Sequence, residues 1–166
     1  MNLKNQPVID FERTAFARFL DFLAIIVFSW VMIYLILQWS ALPEEVPMHF
    51  DASGVPDGSG PGWTIYLLPL IGFALWLGMA FLEKRPQIHN YLNLTEENME
   101  KQYRNSSLLV NVMKNQILIF FSYLSWEIFQ LAQGARETLG WMAVPGFMVV
   151  LFGSIFFFIV RSLRMR

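Results

Sequence analysis

The chain contains no cysteine. Disulfides, thiolate metal sites and thiol nucleophiles are therefore excluded. Histidine is nearly as scarce: His49 and His89 are the only two, and no serine has an evident base to pair with. Phosphate-binding glycine loops, HExxH, GxSxG and dinucleotide fingerprints are all missing. Charged residues make up 15% of the 166 positions, and the basic ones form only small groups beside apolar runs. Nothing in that pattern supports nucleic-acid binding. What is abundant is hydrophobic: 55% of residues, well above the usual soluble composition. Net charge is −1, so the placement of charge is more informative than its sum.

A membrane-spanning helix needs about 20 mostly apolar residues. Four stretches qualify, near 19–39, 63–82, 108–131 and 141–160. They predict an all-α, four-helix transmembrane bundle forming one integral membrane domain over 1–166. Lys114, Asn115 and Gln116 interrupt the start of the third span. Pro145 and Gly153 in the fourth are tolerable in a membrane helix. Lys4, Arg13 and Arg18 precede the first span, and Lys84, Arg85, Lys101 and Arg104 lie between the second and third. Arg161, Arg164 and Arg166 follow the fourth, while the other two loops hold only Arg136. The positive-inside rule then puts both termini and the 83–107 loop in the cytoplasm, and the 40–62 loop outside. Trp39, Trp63 and Trp141 fall at the predicted outer ends, as an aromatic belt requires. Asp10 and Glu12 argue against a cleavable signal peptide.

Within 83–107, Pro86 ends the second helix, and TEENMEKQYRNSS reads as helix. Thr95 is placed to cap it, with Glu96 and Glu97 at the positive end of the dipole. Glu97–Lys101 and Glu100–Arg104 are i,i+4 pairs in the favoured order. With no breaker before the third span, one helix is expected from about Thr95 to Gln133. At 1.5 Å per residue it would be roughly 57 Å long and project into the cytoplasm.

The outer loop, LPEEVPMHFDASGVPDGSGPGW at 42–63, has four acids, one histidine and no basic residue. VPMHF is expected to be extended. Asp51 followed by Gly54 fits an Asx-type turn, and Pro56-Asp57-Gly58 fits a tight turn. In one reading Asp51 and Asp57 satisfy local amides and the loop is a structural element. In the other, His49, Asp51 and Asp57, with Glu44 or Glu45, form a ligand or cation site. The spacing fails as a calcium loop, and one histidine is a poor zinc set. No catalytic residue, cofactor or metal site is assigned.

LPEEVPMHFDASGVPDGSG resembles the signature of a bacterial membrane domain of unknown function that also forms the N-terminal part of SdpI-type immunity proteins. The likeness rests on Pro47, His49, Phe50, Asp51, Gly54, Pro56, Asp57, Gly58 and Gly60. NLTEENMEKQYRNSSLLVNVMK is similar to the segment leading into that family's third span. The resemblance implies a module of the bacterial cytoplasmic membrane with no established activity. Toxin immunity and signalling belong to larger members with a further membrane domain.

Ionisable residues within spans are costly and so are functional candidates. Asp21 sits just inside the first span with Arg18 three residues earlier, and Lys114 lies on the same side in the third. Two arrangements are open: local pairing of Asp21 with Arg18, or an intramembrane pair of Asp21 with Lys114. Gln116, Tyr123, Glu127 and Gln130 share one stripe of the third helix. Glu127 either reaches the outer interface or joins His49 and Asp51 in an outer polar pocket. His89 has no sequence partner and reads as exposed or structural. The combined expectation is a non-catalytic binding, sensing or immunity-like membrane module. Its outer loop would meet a peptide, lipid, ion or membrane-protein partner. A small transporter or channel subunit using Asp21 and Glu127 is the alternative. A lipid-directed enzyme with His49 as base ranks third. Oligomeric state leaves no signal in the pattern.

Overall fold

The computed structural model describes residues 6–140 and 142–165. Lys4, Trp141 and Arg166, used above for orientation, lie outside the described residues. Among the described residues, four helices are long and apolar enough to cross a membrane. They are α1 (Ala15–Leu37), α2 (Leu67–Glu83, led in by a 3-10 turn at Gly62–Tyr66), α3 (Met99–Ala132) and α4 (Ala143–Arg164). The expectation of an all-α chain needs one correction. The loop between α1 and α2 holds an antiparallel hairpin of β1 (Glu45–Phe50) and β2 (Pro56–Pro61).

The helices are built inside out relative to a soluble bundle. α1 turns Ala17, Ala24, Val31 and Leu35 inward at near-heptad spacing and leaves Phe19, Phe22, Ile26, Trp30 and Ile33 exposed. Alanines at the contact let the backbones approach, which is how helices associate where apolar burial gives no net gain. Gly72 of α2 does the same: a Cβ there would stand 3.1 Å from Phe121 Cβ. α3 is the central post, touching α1, α2 and α4. It buries Asn105, Asn111, Lys114, Asn115, Ser122, Ser125 and Glu127. Polar groups at this depth have no water, so they must bond to protein.

Helix ends follow local chemistry. Thr14 Oγ1 accepts from Ala17 N at 3.1 Å and starts α1. Pro69 and Pro145 both stand in the first turn of their helices, where the missing N–H costs no helical bond. α3 begins at Met99 rather than Thr95, because 96–98 form a turn. Even so, Thr95 Oγ1 accepts from Asn98 N (3.2 Å) and Asn98 Oδ1 accepts from Thr95 N (2.8 Å), a reciprocal box around the first turn. Of the two i,i+4 pairs, Glu100–Arg104 closes at 2.8 Å. At the other end Gly134, with φ +71°, donates to Leu131 O and Ala135 donates to Gln130 O. That is a Schellman motif, so α3 stops where glycine supplies the left-handed residue. Its 34 residues span about 51 Å, some 20 Å beyond the hydrocarbon layer.

α3 also caps α4. Asn98 Nδ2 donates to Met165 O, Gln102 Nε2 to Ser162 O and Asn105 Nδ2 to Phe158 O, at 2.8 to 3.0 Å. Met165 O lies past the last turn of α4 and has no helical donor, so Asn98 caps it. Ser162 O also accepts from Met165 N, and Phe158 lies inside the helix, so the other two bonds tie the helices together. The hairpin is anchored by Val46, which is buried among Val31, Leu35, Ile65, Ile128 and Phe129.

Candidate functional site

The hairpin turn is Asp51–Val55, not Pro56-Asp57-Gly58. Asp51 Oδ1 accepts from Ser53 N (2.8 Å) and Val55 N (2.9 Å), and Asp51 N donates to Val55 O. Pro56 instead opens β2, a strand-start position that its missing N–H permits. Gly54 takes φ +80°, and a Cβ there would stand 2.6 Å from Leu139 O. Its carbonyl accepts from Leu139 N at 2.8 Å, so the hairpin tip is stitched to the loop between α3 and α4. Along the ladder Pro47 faces Ser59 and His49 faces Gly58, leaving Met48 extra on β1. Phe50 then faces Pro56, which leaves Asp57 extra on β2. Such irregularities re-aim side chains.

Under this roof lies a cavity of about 490 Å³. Met48, His49, Phe50 and Asp51 form its rim. Leu68, Leu124, Ile128, Leu139, Val144 and Pro145 form its walls. Leu124 is two turns below the end of α3, so the cavity reaches roughly 12 Å down that helix. His49 and Asp51 are thus brought together at an apolar cavity, and both are exposed. Asp57 does not line it, and neither does Glu127. Glu127, 1% exposed, is held by Arg136, whose Nη1 donates to both carboxylate oxygens at 2.6 Å. Of the other stripe residues, Tyr123 stays beside Glu127 and Arg136, whereas Gln116 donates to Ser154 of α4 and Gln130 to Tyr34 of α1. Among the described residues no three His, Asp or Glu side chains converge as a metal set.

A second polar assembly occupies the opposite end. Lys114 Nζ is 3.0 Å from Asp21 Oδ1 and 2.5 Å from Glu83 Oε2. Arg13, not Arg18, closes the ring, with Nη2 2.5 Å from Asp21 Oδ2 and 2.7 Å from Glu83 Oε1. Asn111 Nδ2 bridges the two acids, and Asn115 Nδ2 adds a 2.8 Å bond to Asp21. Trp76 Nε1 donates to Asn115 Oδ1, and its ring lies 4.5 Å from the Lys114 ammonium. Two cations balance two anions, the arrangement that a low-dielectric site tolerates. In the sequence Glu83 reads as a loop residue and Arg13 as one of the charges that set orientation. Lys114 and Arg13, the partners of Glu83, are 31 and 70 positions away, and no local pattern reports that.

His89 is structural. Nδ1 is 3.1 Å from Ser106 Oγ and Nε2 is 3.0 Å from Leu82 O. Burial pushes its pKa down, against a smaller upward pull from the Leu82 carbonyl. Burial likewise pushes the neighbouring Tyr91 phenol up.

A family model described as a domain of unknown function (DUF1648) matches residues 24–73, the stretch from mid-α1 through the hairpin into α2. An uncharacterized protein of Archaeoglobus fulgidus is 32% identical over 71 residues. That overlap is 43% of this chain and 36% of the relative, so the match spans about a third of the relative's own length. No solved structure matches. The class these findings define is a multi-pass, membrane-type helical protein carrying a likeness to a domain of unknown function.

Proposed function

We propose that the chain is a non-catalytic module of the cytoplasmic membrane, with termini inside, whose outer hairpin roofs a binding site for an amphiphile. The cavity carries this reading. Its volume is in the range of small-ligand sites, its walls are apolar, and its rim carries His49 and Asp51 beside Met48 and Phe50. An apolar chain would lie against Leu68, Leu124, Ile128 and Val144, with its polar end at His49 and Asp51. Cation binding is less favoured, because Asp51 Oδ1 already serves two amides and Glu127 is paired. Transport is also less favoured. Asp21 and Glu127 both have cationic partners, and between their levels α3 buries Leu118 and Ser122 completely.

The test is thermal stability of the purified protein with single-chain lipids, membrane-active peptides or divalent ions. A ligand of the native state raises apparent stability by mass action. The proposal expects an upward shift with an amphiphile that is lost in Leu124→Trp, which fills the cavity. Stabilisation by ions alone, or equal shifts in both proteins, contradicts it. If a toxic peptide gives the shift, rescue of cells by expression tests the immunity-like use.

A further inference from the structure

Residues 6–14 run outside any helix across the end of the bundle opposite the hairpin. Among the described residues, few contacts hold them. Tyr103 OH donates toward Gln6 Oε1 and Pro7 O, and the Arg104 guanidinium lies 5.0 Å from the Phe11 ring. Arg13 makes the ion pairs already described. Hollow space flanks the segment. A cavity of about 330 Å³ separates Ile9 and Phe11 from Glu83, Pro86 and Ser107, and a smaller one of about 50 Å³ lies across Arg13.

The charge count gives this segment a role. Asp21, Glu83 and Lys114 sit on three packed helices, whereas Arg13 does not. With Arg13 docked the buried cluster is neutral. With Arg13 gone, Lys114 alone faces two carboxylates that share it and the same Asn111 amide. A buried site does not hold an unbalanced charge cheaply. Of the other charged groups near this end, Asp10 and Glu12 are on the segment, Arg18 on α1, Lys84 after α2 and Arg104 on α3. Arg104 pairs with Glu100, and no other ion pair reaches the cluster among the described residues.

We propose that residues 6–14 are a releasable strap whose attachment is set by this charge count. Arg13 supplies the second positive charge that the two carboxylates require. An event that removes one of the negative charges, protonation included, loosens the strap and opens the cavity behind it. By reciprocity, lifting the strap favours uptake of a proton.

The cysteine-free chain makes the test direct. A nitroxide on Ile9→Cys, half-buried against the larger cavity, reports the strap, and one on Val8→Cys, 77% exposed, is the reference. Measured on full-length protein in lipid nanodiscs, the Ile9 label is expected to be immobilised at neutral pH. It should lose that immobilised component on acidification, or at neutral pH in Glu83→Gln. Arg13→Gln/Glu83→Gln keeps the cluster balanced with Lys114 and Asp21, so the fold is retained. There the label should be mobile at every pH. An immobilised label in that double variant, or a pH response that persists in it, overturns the proposal. So does a mobile label in the unsubstituted chain at neutral pH.

Discussion

Replacing Lys114 by Met tests the buried charge cluster most severely. Met refills the aliphatic stem, so little cavity is created. What is lost is the ammonium, 1% exposed, 2.5 Å from Glu83 and 3.0 Å from Asp21. Arg13 would then face two carboxylates alone, one of them only 6% exposed. Removing one partner of a buried pair costs about 3–5 kcal/mol, because a charge is left uncompensated. Loss of the contact with Trp76 adds roughly 0.5–2 kcal/mol. Asp21→Asn or Glu83→Gln should also destabilise when made alone. Combined with Lys114→Met, each removes one charge of either sign, and the double variant should be no worse than the worse single one. The expected coupling is about 2–3 kcal/mol, within the range for groups sharing a network. Equilibrium unfolding in mixed micelles measures all these values. Costs below about 1 kcal/mol for Lys114→Met, or strict additivity, would refute the reasoning.

Two further outcomes follow from local geometry. Gly54→Ala should cost about 2 kcal/mol or more, from the left-handed backbone and the 2.6 Å approach to Leu139 O. Hydrogen exchange at the Leu139 amide should rise with it, and a cost near zero would contradict the stitch between hairpin and loop. His89 gives a pH signature. Its folded pKa lies below the ordinary value near 6.5, so both states are neutral and stability is full above that pH. As pH falls below about 6.5 the unfolded chain binds the proton first, and stability declines until the folded pKa is passed. Denaturation between pH 7.5 and 5.5 should show this slope, and His89→Phe should flatten it at a lower plateau.

The four apolar spans were legible because the bilayer imposes length and hydropathy on each segment separately. The start of α3 was nearly so: Thr95, expected to cap the helix at its start, instead bonds Asn98 in the turn just before it. The hairpin was half legible. VPMHF announced an extended segment, but Pro56-Asp57-Gly58 satisfies a turn and a strand start equally well. The choice falls to the Asp51 carboxylate and to Leu139, 85 positions beyond Gly54. Asp21 and Lys114 stood out as charges inside spans. Glu83 did not, because an acid beside Lys84 and Arg85 reads as a loop residue until α1 and α3 are packed against it. The partner of Glu127 had a signal in the sequence: Arg136 is the one basic residue in the two loops at the hairpin end and stands nine positions away.

The central claim is that the hairpin cavity binds an amphiphile. Native mass spectrometry of the protein released from lipid nanodiscs, unsubstituted beside Leu124→Trp, tests it most directly. The account predicts a discrete bound amphiphile on the unsubstituted chain that is absent from Leu124→Trp while both proteins remain folded. Equal occupancy in the two, or none in either across lipids and membrane-active peptides, would contradict it.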